Sequence, residues 1–128
     1  MKCYLESEFK VPDSGIVVVR ESGIVRIFFN FSTDTKKDID GNDVIVPTCT
    51  NVDVNSNAYD KILAEIITAK YSQDSITAII ANYTEASDLT STITDDKRAE
   101  HMSEYIAFQN YRVAAKNIAA KVIHLINE

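Results

Sequence analysis

From Asp95 to Asn127 the chain runs without a Gly or a Pro, and at about 100° per residue its apolar positions fall into two stripes. Phe108, Tyr111, Ala115, Ile118, Ala119, Val122, Leu125 and Ile126 form the broad one, the pattern of a helix packed on a core. Met102, Ile106, Val113 and Ala120 form a narrower stripe opposite, set apart by Arg112 and Lys116 on one side and Asn110, Asn117 and Lys121 on the other. A helix with two apolar stripes touches two things. Its own domain takes one, and a further surface, such as another subunit, takes the other, which makes Met102, Ile106, Val113 and Ala120 the candidate interface.

The N-terminal half has a different period. Tyr4 to Val11 alternates before Pro12, Ile16 to Arg20 is a β-branched run, and Glu21-Ser22-Gly23 is able to reverse the chain into Ile24 to Ser32 as a hairpin. On that return strand Val25, Ile27, Phe29 and Phe31 share one face by alternation, expected to meet the helices. Thr33 to Asp43 reads as a polar excursion. Val44 to Val54 reads as a fourth strand, in which Pro47 cannot donate to a ladder and so marks an edge or a bulge, an open edge able to recruit another strand.

At Asn55 helical spacing takes over. Ser56 or Asn57 is placed to cap a helix with Ile62, Leu63, Ile66 and Ile67 on one face; Ser72 opens another, with Asp74 in its first turn and Ile76, Ile79, Ile80 and Tyr83 on its apolar side. Thr84 to Thr94 is a polar connection, and Thr94 or Asp95 caps the long helix. The expected fold is α+β: an antiparallel sheet of about four strands, a short helical hairpin and one long C-terminal helix. Residues 1–55 form a β-rich lobe and 56–128 a helical lobe of one compact domain, a size that 128 residues with 45% hydrophobic content can support.

Composition narrows the function by exclusion. A net charge of −6, with basic residues clustered no further than Lys36-Lys37 and Lys97-Arg98, gives no field for nucleic acid phosphates. No apolar run approaches the roughly 20 residues of a membrane helix, and acids stand where a signal peptide would be apolar, so a soluble chain not exported by that route is expected.

Candidate chemistry is thin. Asp38-Ile39-Asp40-Gly41-Asn42-Asp43 invites a calcium loop, but its sixth position is Asp43 where Gly is required and its twelfth is Cys49 where an acid is required. A hairpin-like turn is the reading that remains. Cys3, Cys49, His101 and His124 hold the right atoms for zinc without the short spacing that pre-positions two ligands, so no metal and no cofactor is expected. Cys49 beside a histidine would make a nucleophile and base, yet Thr48-Cys49-Thr50 carries no cation or helix N-terminus to lower a thiol pKa. The two cysteines read as free structural thiols in strand-like stretches, and nothing in the sequence requires them to face each other. Tyr59, Tyr71, Tyr83, Tyr105 and Tyr111 sit at helical positions beside aliphatic faces, where rings close core edges. No catalytic residue is assigned.

One resemblance gives a lead. Tyr59-Asp60-Lys61-Ile62 through Ile66-Ile67, Lys70-Tyr71-Ser72 with Asp74, and Ala78-Ile79-Ile80-Ala81-Asn82-Tyr83 are similar to a helical module in small proteins encoded among the virion and tail genes of tailed bacteriophages and prophages. Glu104-Tyr105-Ile106-Ala107-Phe108, then Tyr111-Arg112, Ala115-Lys116 and Ala119, resembles the final helix of that module. The likeness covers Tyr59 to Ile126, with the Ser87 to Thr94 insertion a departure from it. What it implies is a non-enzymatic accessory or assembly role through protein–protein interaction, with other virion or assembly proteins or a second copy as partners, and neither nucleic acid nor membrane. A small-ligand or peptide-binding domain with a pocket between sheet and helices is the alternative.

Overall fold

The computed structural model describes residues 1–6 and 9–127. Four antiparallel strands come first, β1 (Lys2–Tyr4), β2 (Val17–Glu21), β3 (Ile24–Lys37) and β4 (Asp43–Val54), followed by α1 (Tyr59–Thr68), α2 (Gln73–Ser87) and α3 (Asp95–Ile126). The fold is α+β. Within the sheet the strands lie in the order β1-β4-β3-β2, so the two long strands are central and the two short ones flank them.

Turn chemistry sets the first hairpin. Ser22 and Gly23 both adopt positive φ, 47° and 81°, and join Glu21 directly to its partner Ile24. Two left-handed residues twist in the sense of the flanking strands, which makes this tight connection favourable. The second hairpin is longer than its polarity suggests. Thr33–Lys37 continues β3 opposite Asp43–Pro47, where a loop was expected from Thr33 to Asp43. Backbone pairing holds this arm, with Lys2 and Tyr4 of β1 reaching Asp34, and its turn closes on Asp38, whose Oδ1 accepts from the N–H groups of Asp40 and Asn42, both at 2.9 Å.

Pro47 sits inside β4 rather than interrupting it, and the irregularity lies on the other strand. Between the pairs Phe29↔Thr50 and Ser32↔Thr48, β3 contributes Asn30 and Phe31 against the single Cys49 of β4. This is a bulge, with Asn30 in the left-handed region at φ 57°. The extra residue reverses the alternation. Val25, Ile27 and Phe29 are buried toward the helices as expected, but Phe31 turns to the opposite face, where it stacks on Phe9 with ring centroids 5.5 Å apart.

Pro47 instead decides where β1 ends. Asn51 donates its backbone N–H to Met1 O, so by alternation Cys49 and Pro47 also present their nitrogens toward β1. Pro47 has none to give. Leu5 N still donates to Pro47 O at 2.9 Å, and among the described residues pairing goes no further, so the strand is Lys2–Tyr4 and shares only Tyr4 with the one expected from Tyr4 to Val11. Ser7 and Glu8 of that expected strand lie outside the described residues.

The core gathers Val25, Ile27, Phe29, Val52 and Val54 from the sheet, Ile62 and Ile66 from α1, and Ala115, Ala119 and Val122 from α3. Both halves of the chain thus supply one cluster. Ile27, Ile62, Ile66 and Val122 are fully buried, each burial contributing about 1.5–3 kcal/mol. Ala115 and Ala119, also fully buried, keep the α3 backbone close to its neighbours.

Local signals start and stop the helices. Ser72 Oγ accepts from Ser75 N and Thr94 Oγ1 from Lys97 N, as N-caps of α2 and α3. At α1 the N-cap is Ala58, with no side-chain cap; Ser56 accepts from Ala58 N just before it. α2 reaches Ser87, absorbing the start of the expected connection, and Arg98 Nη1 donates to the carbonyls of Ala86 and Asp88 at its end. Only Ala86 of α2 is buried. α2 rides on the first half of α3, joined by Tyr83 stacked on Tyr105 at 3.8 Å, while the second half of α3 closes the core.

Candidate interaction surfaces

α3 is about 48 Å long at 1.5 Å per residue, and one side of it faces water along its length. Of the four residues of the narrow stripe, Ile106 is 55% exposed and Val113 58% exposed, Ala120 is exposed, and Met102 is half-buried. Ala99, Ser103, Asn110 and Asn117, all exposed, complete the same sector. No charged residue enters that sector between Asp95 and Lys121. A solvent-facing helix side normally carries charges, so an uncharged strip with two β-branched residues two turns apart stands out.

A second exposed apolar surface lies on the β3–β4 arm. Ile39 at its turn is fully exposed and Ile45 is 71% exposed. Beyond Pro47, β1 no longer covers β4, so among the described residues Asp43–Val46 offers a free strand edge flanked by the Lys37–Asp43 ion pair at 2.6 Å. The sequence located an edge near Pro47 but carried no sign that the arm extends so far, because its residues are polar and what holds it is backbone pairing with β4 and contacts from Lys2 and Tyr4 of β1 to Asp34 and Lys36.

The side chains with reactive potential are dispersed. Cys3 and Cys49 are directly opposed partners of β1 and β4, both free thiols, on the sheet face away from α3. Cys49 therefore meets neither His101 nor His124, and the nucleophile–base pairing does not form. Burial, with the neighbouring Cys3 thiol, pushes the Cys49 thiol above its ordinary pKa, which makes it a poor nucleophile. His101 lies half-buried on α3, its Nδ1 enclosed with no hydrogen-bond partner among the described residues. Among the described residues no three His, Cys, Asp or Glu side chains are grouped to hold a metal, and no helix is long and apolar enough to cross a membrane. On the helix-side face beyond the core, Lys2 meets Asp34 at 2.8 Å, and that hydrogen bond holds the Asp34 carboxyl below its usual value.

Between sheet and helices opens a cleft of about 520 Å³, lined by Phe29, Thr50, Lys70, Tyr111, Ala114 and Ile118 among others. Its wall is built at the junction of the three helices. Tyr71 packs edge-on against Phe108 at 5.0 Å and tilted against Tyr111 at 5.4 Å, and the Lys70 amine lies 5.1 Å from the Tyr111 ring. The Tyr111 hydroxyl donates to Ile66 O at 2.7 Å. Burial, with Tyr71 beside it, raises the Tyr111 pKa above the usual phenol value. No family model matches this chain, and neither does any curated protein or solved structure. The surfaces themselves are therefore the basis for a functional reading. Rings at helical positions near aliphatic faces pointed to this aromatic junction in the sequence, whereas Lys70 carried no signal that set it apart from any surface lysine.

Proposed function

We propose that this chain is a non-catalytic assembly protein that acts by binding other proteins, as its likeness to small proteins of phage virion and tail modules implies. The observation that supports the reading is the solvent face of α3, where Ile106 and Val113 stand more than half exposed on a strip free of charge. In this reading the broad stripe holds the fold together and the narrow one meets a partner, another virion or assembly protein or a second copy, in the bacterial cytoplasm or in the virion. Neither nucleic acid nor cofactor takes part. The test is direct binding: purified products of the neighbouring genes are passed one at a time over immobilised chain, wild type and the Ile106→Glu/Val113→Glu variant. Retention by wild type alone is expected. Equal retention by the folded variant removes α3 from the interaction, and no retention of any product by either form leaves only self-association to sustain the reading.

The cleft between sheet and helices favours a second reading, a small-ligand or peptide-binding domain. Its apolar floor of Phe29 and Ile118 beside the Lys70 amine suits an amphipathic carboxylate. Thermal stabilisation by short-chain fatty acids, lost in Lys70→Ala, would favour it over the first; unchanged melting across the series would dismiss it.

A further inference from the structure

The charges of α3 are divided along its length. Asp95, Asp96, Glu100 and Glu104 all fall in its first third, and from Tyr105 to Asn127 there is no acid, while Arg112, Lys116 and Lys121 follow. In the first part Lys97 pairs with Glu100 at 3.1 Å and Arg98 is held by the carbonyls at the end of α2, so the basic groups there are already engaged within the chain. In the second part Arg112 bonds Gln109 of its own helix at 3.0 Å, while exposed Lys121 makes one long bond, to Ser14 O at 3.5 Å, and has no carboxylate within ion-pair distance among the described residues. What faces outward is an acidic end, an uncharged middle and a basic end. A helix so graded is complementary to itself only when reversed.

Resting on the reading of α3 as an interface, we propose that its partner is a second copy of this chain, paired antiparallel along α3 about a twofold axis between Gln109 and Asn110. That register brings Ile106 against Val113 of the partner subunit and Val113 against Ile106 of the partner subunit, each within the uncharged strip. Ala99 then faces Ala120 of the partner subunit, small against small at each end, which allows the helices to approach closely. The two Asn110 side chains meet beside the axis, and Asn117 lies opposite the Met102–Ser103 step of the partner subunit. Buried polar contacts of that kind fix register, because any slip leaves an amide without a partner.

Electrostatics select the orientation. In a reversed pair, the same flank of both helices comes together, which places Lys121 beside Asp96 of the partner subunit, twice by symmetry. A parallel pair would set Asp95 against Asp95 of the partner subunit and Lys121 next to Lys116 of the partner subunit, both repulsive. The rest of the molecule leaves room for the pairing, since α1, α2 and the sheet pack on the opposite side of α3, and the turn before β2 meets this flank through one long contact, from Lys121 Nζ to Ser14 O at 3.5 Å.

The experiment combines light scattering over a concentration series with cysteine cross-linking in a Cys3→Ala/Cys49→Ala background. Expected are a mass of two chains that falls to one on dilution, Asn110→Cys that oxidises to a linked dimer by itself, and Ala99→Cys that links only when mixed with Ala120→Cys. Lys121→Glu and Asp96→Lys should each weaken the dimer roughly tenfold, and the two together should restore it. Ala99→Cys linking to itself would make the pair parallel and overturn the proposal, as would a single-chain mass at every concentration. If wild type is monomeric while a neighbouring product still binds through Ile106 and Val113, only the self-pairing fails. If a dimer persists unchanged in Ile106→Glu/Val113→Glu, the role of α3 as an interface fails with it.

Discussion

Tyr111→Phe isolates one hydrogen bond at the joint between α1 and α3. In the last turn of α1, Ala69 N bonds Glu65 O while Lys70 N and Tyr71 N both bond Ile67 O, so Ile66 O is passed over by the backbone donors. A helix C-terminus leaves such carbonyls unpaired unless a side chain or water reaches them. The Tyr111 hydroxyl does so at 2.7 Å, from the far side of the chain. Removing it strands a part-buried acceptor, which costs about 1–3 kcal/mol. For a chain of this size each kcal/mol lowers the melting temperature by about 3–5 °C.

The hydroxyl also titrates. Burial raises its pKa, so the neutral form is favoured in the folded state; its contribution is complete below the unfolded phenol value near 10 and is lost as pH rises through the higher folded value. Thermal unfolding followed by circular dichroism at pH 7 and across the alkaline range therefore checks two consequences in one variant. Tyr111→Phe should melt lower than wild type at pH 7, and the gap should narrow at high pH. Tyr59→Phe, at an exposed ring, should change little. Equal melting of wild type and Tyr111→Phe at pH 7 would refute the capping argument.

Other consequences are open to equally plain measurement. Asn30 occupies the left-handed region within the bulge, so Asn30→Val should lose about 1–2 kcal/mol in urea unfolding while Asn30→Gly stays near wild type. Cys3 and Cys49 face each other as direct cross-strand partners; oxidation by glutathione disulfide, through a mixed disulfide that the second thiol resolves, should join them within one chain, read by mass spectrometry as the loss of two hydrogens without dimer. In the reduced protein a maleimide should label half-buried Cys3 well before buried Cys49, whose thiol burial holds neutral. His101 encloses an unpaired Nδ1, so His101→Leu should raise thermal stability by about 1 kcal/mol; a loss would mean that a partner satisfies the nitrogen.

Periodicity carried most of the architecture because most elements have one strongly apolar side. The broad stripe of α3 is where the core lies, and Ile62 and Ile66 of α1 are fully buried. The four residues set apart on the narrow stripe do lie off the core, three of them exposed. Alternation failed at Asn30, where a left-handed residue without the usual Gly inserts one position and sends Phe31 to the other face. It failed again at Thr33–Lys37, since a strand held mainly by its neighbour's backbone needs no apolar side. The opposition of Cys3 and Cys49 depends on strand register, and the cleft depends on how α1 and α3 meet the sheet, both long-range facts with no local imprint.

The continuity of α3 has a mechanical consequence. It is anchored to the sheet at Ala115, Ala119 and Val122, holds α2 at its other end, and has no Gly or Pro between them at which to bend. A load placed on α2 is consequently delivered to the sheet as torque about that anchor, with α3 as the lever arm and no hinge along it to absorb the motion.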